Sequence, residues 1–203
     1  MIEAIIFDCF GVIITDALEI LIEQLRVTHP ERVREALDLV TARNHGMLDY
    51  GVYQSHLATL LDMPLSEYQS QLSEGEVKDS RILDYAAELR KDYKTALLTN
   101  VGLGGLMRRF TTVELERAFD AVVASGEIGY AKPEPQAYEI TAERLGVRLS
   151  ACVLIDDREE YCLGAQGVGM RAIQYVDFTK MKTELTVLLR GGGAAEASRS
   201  GRP

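Results

Sequence analysis

Four short apolar runs in this chain each lead to residues that could do chemistry together. Ile5-Ile6-Phe7 leads to Asp8, and Ala96-Leu97-Leu98 leads to Thr99-Asn100. Ala121-Val122-Val123 leads, a few residues on, to Lys132-Pro133, and Val153-Leu154-Ile155 leads to Asp156-Asp157. A carboxylate at the tip of a buried strand is costly unless something uses it. If the runs are strands of a parallel α/β sheet, their ends open into one crevice, the place where such folds bind ligands. The set suits phosphoryl transfer to a carboxylate: Asp8 attacks phosphorus, and water later hydrolyses the aspartyl-phosphate. Nucleophile and phosphate are both anionic, so the site must supply positive charge. Mg²⁺ meets this need with oxygen ligands and a bridge to phosphate. The candidate metal ligands are Asp8, Asp156, Asp157 and the backbone carbonyl of Phe10. Lys132 is the cation for Asp8 and a phosphoryl oxygen, while Thr99 and the backbone N–H of Asn100 are the candidate phosphate-binding groups.

The elements that must position these residues are legible as periodicity. Strands are expected at about 2–7, 94–99, 121–125, 152–156 and 171–175, and from the second onward they alternate with helical patterns, which implies βαβ units and a parallel sheet. One helix is expected at about 80–91, after a cap at Asp79 or Ser80. Another begins at Pro133-Glu134-Pro135 and stops at Gly146, a third runs from after Asp157 to near Gly167, and the last runs from about 177 to just before Gly191. The segment 15–78 contains no convincing strand. Asp16-x-x-Glu19 reads as a capping box, and Leu18, Leu21, Ile22 and Leu25 follow at helical spacing. Val33, Leu37 and Val40 continue the pattern, as do Tyr53, Leu57, Leu60 and Leu61, and then Leu65, Tyr68 and Leu72. The expected organisation is therefore a Rossmann-like core at 1–14 and 79–190, with an α-helical cap at 15–78 that emerges beside Asp8 and can exclude water from it. Residues 191–203 lack large apolar groups and are expected to be disordered.

Composition narrows the partners. The 203 residues carry a net charge of −9, which argues against nucleic acid or an anionic membrane as partner while allowing a small phosphorylated substrate where cations gather locally. No run approaches the roughly 18 apolar residues of a membrane span. The first residues lack a basic region, and Glu3 and Asp8 interrupt their apolar stretch, so no signal peptide is expected. Cys9, Cys152 and Cys162 form no metal-type spacing and are odd in number, which fits a reduced cytoplasm. Cys9 is expected to be a small packing residue. Arg43, His45 and His56 fall in the cap and are candidates for substrate contact, whereas Arg108 and Arg109 are expected on an exposed helix face.

The ordered set Ile6-Phe7-Asp8-x-Phe10-Gly11-Val12, Leu98-Thr99-Asn100, Gly129-x-x-Lys132-Pro133-x-Pro135-x-x-Tyr138 and Ile155-Asp156-Asp157 resembles the haloacid dehalogenase-like hydrolase superfamily. Gly164-Ala165-x-x-x-Gly169-Met170 extends the fourth motif, and the helical segment after the first motif is similar to one subgroup's α-helical cap. The resemblance covers residues 2 to about 176. It implies a Rossmann-like sheet, an aspartyl nucleophile and, in most members, Mg²⁺-dependent phosphate-ester hydrolysis. Two departures matter. Phosphatases of this superfamily usually carry a second Asp two residues after the nucleophile, as acid for the leaving group; here Phe10 stands there. That loss favours acyl, aryl or anomeric phosphates, whose leaving groups need little protonation, and it also admits a catalytically weak binding or regulatory protein. Tyr161 stands where many relatives place an Asn that supports the metal site. The aromatic at position 10 resembles that of the metal-independent 2-haloacid dehalogenases, but those generally lack the acidic pair that Asp156-Asp157 supplies.

Overall fold

A computed structural model describes residues 1–191, so of the tail expected at 191–203 only Gly191 falls within it. Five strands, β1 (Ala4–Phe7), β2 (Lys94–Thr99), β3 (Ala121–Ala124), β4 (Cys152–Asp156) and β5 (Arg171–Gln174), form one sheet in the order β3-β2-β1-β4-β5. Every pairing is parallel, with Phe7 opposite both Leu97 and Ile155. The strands lie within the ranges expected from their apolar runs. The central strands β1, β2 and β4 are buried on both faces and need no polar alternation, whereas the edge strand β5 exposes Arg171 and Gln174. Ile5, Phe7, Leu97, Val153 and Ile155 point into one core layer; Ala4, Ile6, Ala96, Leu98 and Leu154 point into the other.

The connection from β1 to β2 carries the helical insert: α1 (Ala17–Thr28), α2 (Val33–Asn44), α3 (Tyr50–Leu60) and α4 (Leu65–Gly75). These helices have their own core, in which Leu21, Leu25, Tyr53, Leu57 and Tyr68 are buried. Only half of the expected capping box at Asp16 forms. Asp16 accepts the Glu19 N–H, but the Glu19 carboxylate goes to Arg158 instead of back to the cap. The insert joins the sheet domain where Thr15 N donates to Val77 O and Asp79 N donates to Ile13 O.

The remaining helices flank the sheet: α5 (Ser80–Leu89), α6 (Thr112–Ala118), the short α7 (Ser125–Ile128), α8 (Pro135–Leu145), α9 (Glu159–Gly167) and α10 (Phe178–Gly191). Asp79 caps α5 by accepting the Arg81 N–H, and Gly146 ends α8 in the left-handed conformation. The hydrophobic pattern of α6 is too short to stand out, although Thr111-x-x-Glu114 makes a complete capping box at its start. Arg108 and Arg109 do not form an exposed helix face. Arg108 closes a single 3₁₀ turn, Leu106–Arg108, and Arg109 is turned inward, its side chain 13% exposed. No helix among the described residues is long and apolar enough to cross a membrane.

Candidate active site

The chain builds the sheet outward from β1 in one direction and then resumes on its other side with β4. Beside β1 the connections diverge, leaving a crevice at the carboxyl ends of β1 and β4. Asp8 directly follows β1, and its N–H donates to Ile155 O at 2.9 Å, so the β1–β4 ladder delivers its carboxylate next to Asp156, the last residue of β4. Lys132 reaches the same point from the loop before α8. Its Nζ lies 2.7 Å from Asp8 Oδ1 and 2.5 Å from Asp156 Oδ2, with the side chain fully buried. The loop is pinned from β2: Asn100 Nδ2 donates to Lys132 O and Lys132 N donates to Asn100 Oδ1, both at 2.8 Å.

Charge explains the state of these groups. Burial pushes the Asp8 carboxyl upward; Lys132 opposes the shift and Asp156 adds to it. Burial alone would pull Lys132 down, but Asp156 and Asp8 outweigh it and hold the ammonium more firmly than water does. Burial, followed by repulsion from Asp156, pushes Asp157 up to about 6 against the pull of Arg158. Two carboxylates on one ammonium, with a third alongside, is a site short of positive charge.

Three observations fit a divalent cation here. Carboxylate oxygens of Asp8, Asp156 and Asp157 lie within 4.8 Å of one another. Asp157 Oδ1 is buried with no hydrogen-bond partner, which is expensive unless a ligand satisfies it. Gly11 makes room for that carboxylate: at φ +85° it turns the chain after Phe10, and a Cβ there would lie 2.2 Å from Asp157 Oδ2. An all-oxygen donor set of this kind suits Mg²⁺. Thr99 Oγ1 is likewise buried without a partner at the end of β2, as a hydroxyl awaiting an anion would be.

Asp8 and Phe10 open on a cavity of about 90 Å³ between the sheet domain and the insert. Of the three insert candidates named from sequence, Arg43 lines this cavity, and His45 is turned to Glu134, its Nε2 2.7 Å from the carboxylate. His56 is exposed on α3. Sequence reasoning missed Arg109, Glu76, Arg158 and the pairings they make. Arg109 forms a two-pronged pair with Glu76 (2.7 and 2.5 Å) and lies over the Phe10 ring, 4.9 Å from its centroid. Arg158 donates to Glu19 at 2.5 Å and reaches Asp16 at 3.3 Å. Residues 33 to 142 positions apart meet in these pairs, so no local pattern announces them. Cys9 is fully buried, and burial holds its thiol protonated.

Comparison with known proteins agrees with this geometry. A phosphatase of Mycobacterium tuberculosis is 39% identical over 84 residues, 41% of this chain and 39% of its own length. Fructose-1-phosphate phosphatase of Escherichia coli is 36% identical over 59 residues (29% of this chain, 31% of its own), and human N-acylneuraminate-9-phosphatase is 31% identical over 91 (44% and 37%). Each match thus spans less than two fifths of the relative. Among solved structures, a HAD family enzyme from Bacteroides thetaiotaomicron in complex with magnesium and inorganic phosphate superposes with a TM-score of 0.70. It is 20% identical, over 89% of this chain and 99% of that one. L-2-haloacid dehalogenase from Xanthobacter autotrophicus gives 0.60 at 20% identity, over 92% and 83%. The family model for haloacid dehalogenase-like hydrolases matches residues 2–169, from the strand that carries Asp8 to the turn before β5, and this chain belongs to that family.

Proposed function

We propose that this protein is a Mg²⁺-dependent phosphohydrolase of small organic monophosphates that works through an aspartyl-phosphate on Asp8. The observation that carries the reading is the Asp8 carboxylate: it is held by Lys132 at 2.7 Å, sits beside the unsatisfied Asp157, and opens on a covered cavity. Asp8, Asp156, Asp157 and the Phe10 carbonyl would hold the cation, which supplies charge neutralisation between carboxylate and phosphate. Asp8 attacks phosphorus, forming the Asp8–phosphorus bond as the bond to the leaving oxygen breaks. Thr99 and the Asn100 N–H bind phosphoryl oxygens, and Lys132 offsets the charge gathered around Asp8. Water then attacks the aspartyl-phosphate, releasing inorganic phosphate and restoring Asp8. The insert covers the cavity and keeps bulk water from it.

The test is p-nitrophenyl phosphate hydrolysis by the wild type and Asp8→Asn, each with Mg²⁺ and with EDTA. The reading requires activity that disappears both with EDTA and in Asp8→Asn, while the variant keeps its circular dichroism spectrum. Turnover that survives in Asp8→Asn would sink the mechanism. One observation favours a second reading: Phe10 puts an aromatic ring two residues after Asp8, which resembles the arrangement for displacement of halide by Asp8 without metal. Chloride release from 2-chloropropionate in EDTA is what that reading demands, and it leaves the orphaned Asp157 oxygen without a purpose.

A further inference from the structure

The wall of the cavity contributed by the insert carries a charge that the protein does not balance. Three arginines line the cavity. Arg109 is matched by Glu76, and Arg158 by Glu19 and Asp16. Arg43, on the last turn of α2, has no carboxylate within 4 Å among the described residues. Its guanidinium is nonetheless built into place. Nε and Nη2 donate to Asn44 Oδ1 at 3.1 and 2.7 Å, Nη1 donates to Tyr53 OH at 3.3 Å, and the group lies over the Tyr53 ring at 4.8 Å. Those bonds leave some of its N–H donors unclaimed. Its stem packs on the loop after the phosphate-binding pair. A Cβ on Gly102 would lie 2.7 Å from Arg43 Cγ, so glycine is what allows the insert to approach so closely.

A second group on the same wall is also unsatisfied. Tyr68, on α4, is fully buried and lines the cavity, and its hydroxyl makes no hydrogen bond of normal geometry, with the Tyr53 hydroxyl a close polar neighbour. The neighbouring Tyr53 hydroxyl accepts from Arg43 at 3.3 Å, so the two phenols and the guanidinium share one polar corner of the cavity. A buried phenol normally finds a partner, and leaving it unpaired is costly. A fixed cation and an orphan hydroxyl donor thus line one small cavity, the same cavity on which the nucleophile opens.

We infer that Arg43 and Tyr68 form a subsite for a carboxylate on the leaving group, so that the substrates are small monophosphates bearing a second, carboxylate anion. This deepens the phosphohydrolase reading and rests on it. A guanidinium presents its N–H donors in a geometry that matches a planar carboxylate, and Tyr68 can donate to the same oxygens. One unpaired guanidinium matches the single charge of a carboxylate rather than the double charge of a second phosphate. The apolar walls near it, Leu18, Val40 and Leu72, strengthen the ion pair by excluding water.

Two substrate pairs that differ in the carboxylate test this: 2-phosphoglycolate against ethyl phosphate, and 4-carboxyphenyl phosphate against phenyl phosphate. The readout is the ratio of kcat/KM within each pair for the wild type, Arg43→Gln and Tyr68→Phe. The wild type is expected to favour the carboxylate in at least one pair by about tenfold or more, the scale of a charge-assisted contact. Arg43→Gln is expected to bring that ratio close to one and Tyr68→Phe to lower it several-fold. No preference in either pair overturns the inference. So does an equal loss on both members in Arg43→Gln, which would put Arg43 on the transferred phosphoryl group. p-Nitrophenyl phosphate run alongside reports separately on the phosphohydrolase reading. If nothing turns over, calorimetric binding of the same pairs to Asp8→Asn with Mg²⁺ decides: tighter binding of a carboxylate member supports the subsite, and equal binding overturns it. The wild-type ratio and Tyr68→Phe keep the test open should Arg43→Gln fail to fold.

Discussion

Phe10 removes the usual proton donor from the site and puts nothing titratable in its place; its ring carries the Arg109 guanidinium instead. Assistance of that kind is typically worth roughly 10²–10⁴ in rate. Turnover should therefore track the acidity of the leaving group: p-nitrophenyl phosphate is expected to exceed a simple alkyl phosphate by about 10² or more in kcat. A leaving-group series with no such slope would reveal a donor elsewhere in the cavity. Gly11 is a second residue whose identity is dictated by its position. An alanine there would meet Asp157 at 2.2 Å and hold φ at +85°. A side chain in that region costs about 1–2 kcal/mol before the clash is counted. Gly11→Ala is expected to lower Tm and to abolish the Mg²⁺ stabilisation that the proposed metal site predicts for the wild type, measured by thermal unfolding with and without the ion. An unchanged Mg²⁺ response would remove Asp157 from the metal site.

Between elements, a partly buried ion pair helps hold the insert to the sheet domain. Arg109, from the loop after β2, and Glu76, just past α4, form a pair whose side chains are 13% and 14% exposed. Breaking such a pair from one side strands the other charge, at a cost of about 3–5 kcal/mol, whereas replacing both partners by apolar groups is close to neutral. Glu76→Ala is expected to fall near the lower end of that range by urea unfolding, and the double variant Glu76→Leu, Arg109→Met to recover most of the loss. Additive losses would show the pair to be independent contacts. These pairs also mark the limit of what the sequence made legible. The strands were readable because burial on both faces writes continuous apolar runs, and the polar residues at their ends follow from the rule that parallel sheets expose ligand groups at one edge. The insert helices were readable from spacing alone. The pairings Arg109–Glu76 and Arg158–Glu19 were not, since an arginine in sequence carries no sign of a partner 33 or 139 residues away. Tyr68 was legible only as a core position, and its unsatisfied hydroxyl emerges only once the cavity is closed around it.

In the whole molecule the insert and the sheet domain are joined around Thr15 and Val77 and held further by side-chain pairs, Arg109–Glu76, Arg158–Glu19 and His45–Glu134. His45 ends α2 and is sandwiched between two acceptors: Nδ1 lies 2.8 Å from Thr41 O and Nε2 lies 2.7 Å from Glu134 Oε2. A ring with an acceptor at each nitrogen is best served when both nitrogens carry hydrogen. The Thr41 carbonyl, and then Glu134, accordingly raise the His45 pKa above its ordinary 6.5 despite partial burial. Burial pushes Glu134 up, but the Ala131 N–H and His45 outweigh it and hold Glu134 below its ordinary 4.5. The signs then fix a window. The His45 contribution is fully present below 6.5 and is lost as pH rises through its raised folded value; the Glu134 contribution is present above 4.5 and is lost as pH falls through its lowered folded value. The clasp is therefore firmest between those limits and loosens as pH rises through the raised His45 value. Glu134 stands two residues from Lys132 and also accepts the Ala131 N–H, so loosening removes one of the insert's contacts without releasing the loop that carries the lysine. The expected signature is a KM that climbs in the wild type as pH rises through the raised His45 value, while kcat changes less. In His45→Gln, which keeps a polar side chain but no titration, KM should be raised at low pH and flat across the range. Limited proteolysis of the hinge around Thr15 and Val77, followed over the same pH series without substrate, separates opening of the insert from any titration of the substrate phosphate. A cleavage rate that rises with pH in the wild type and not in His45→Gln is the expected result, and parallel curves for the two would remove His45 from the control of closure.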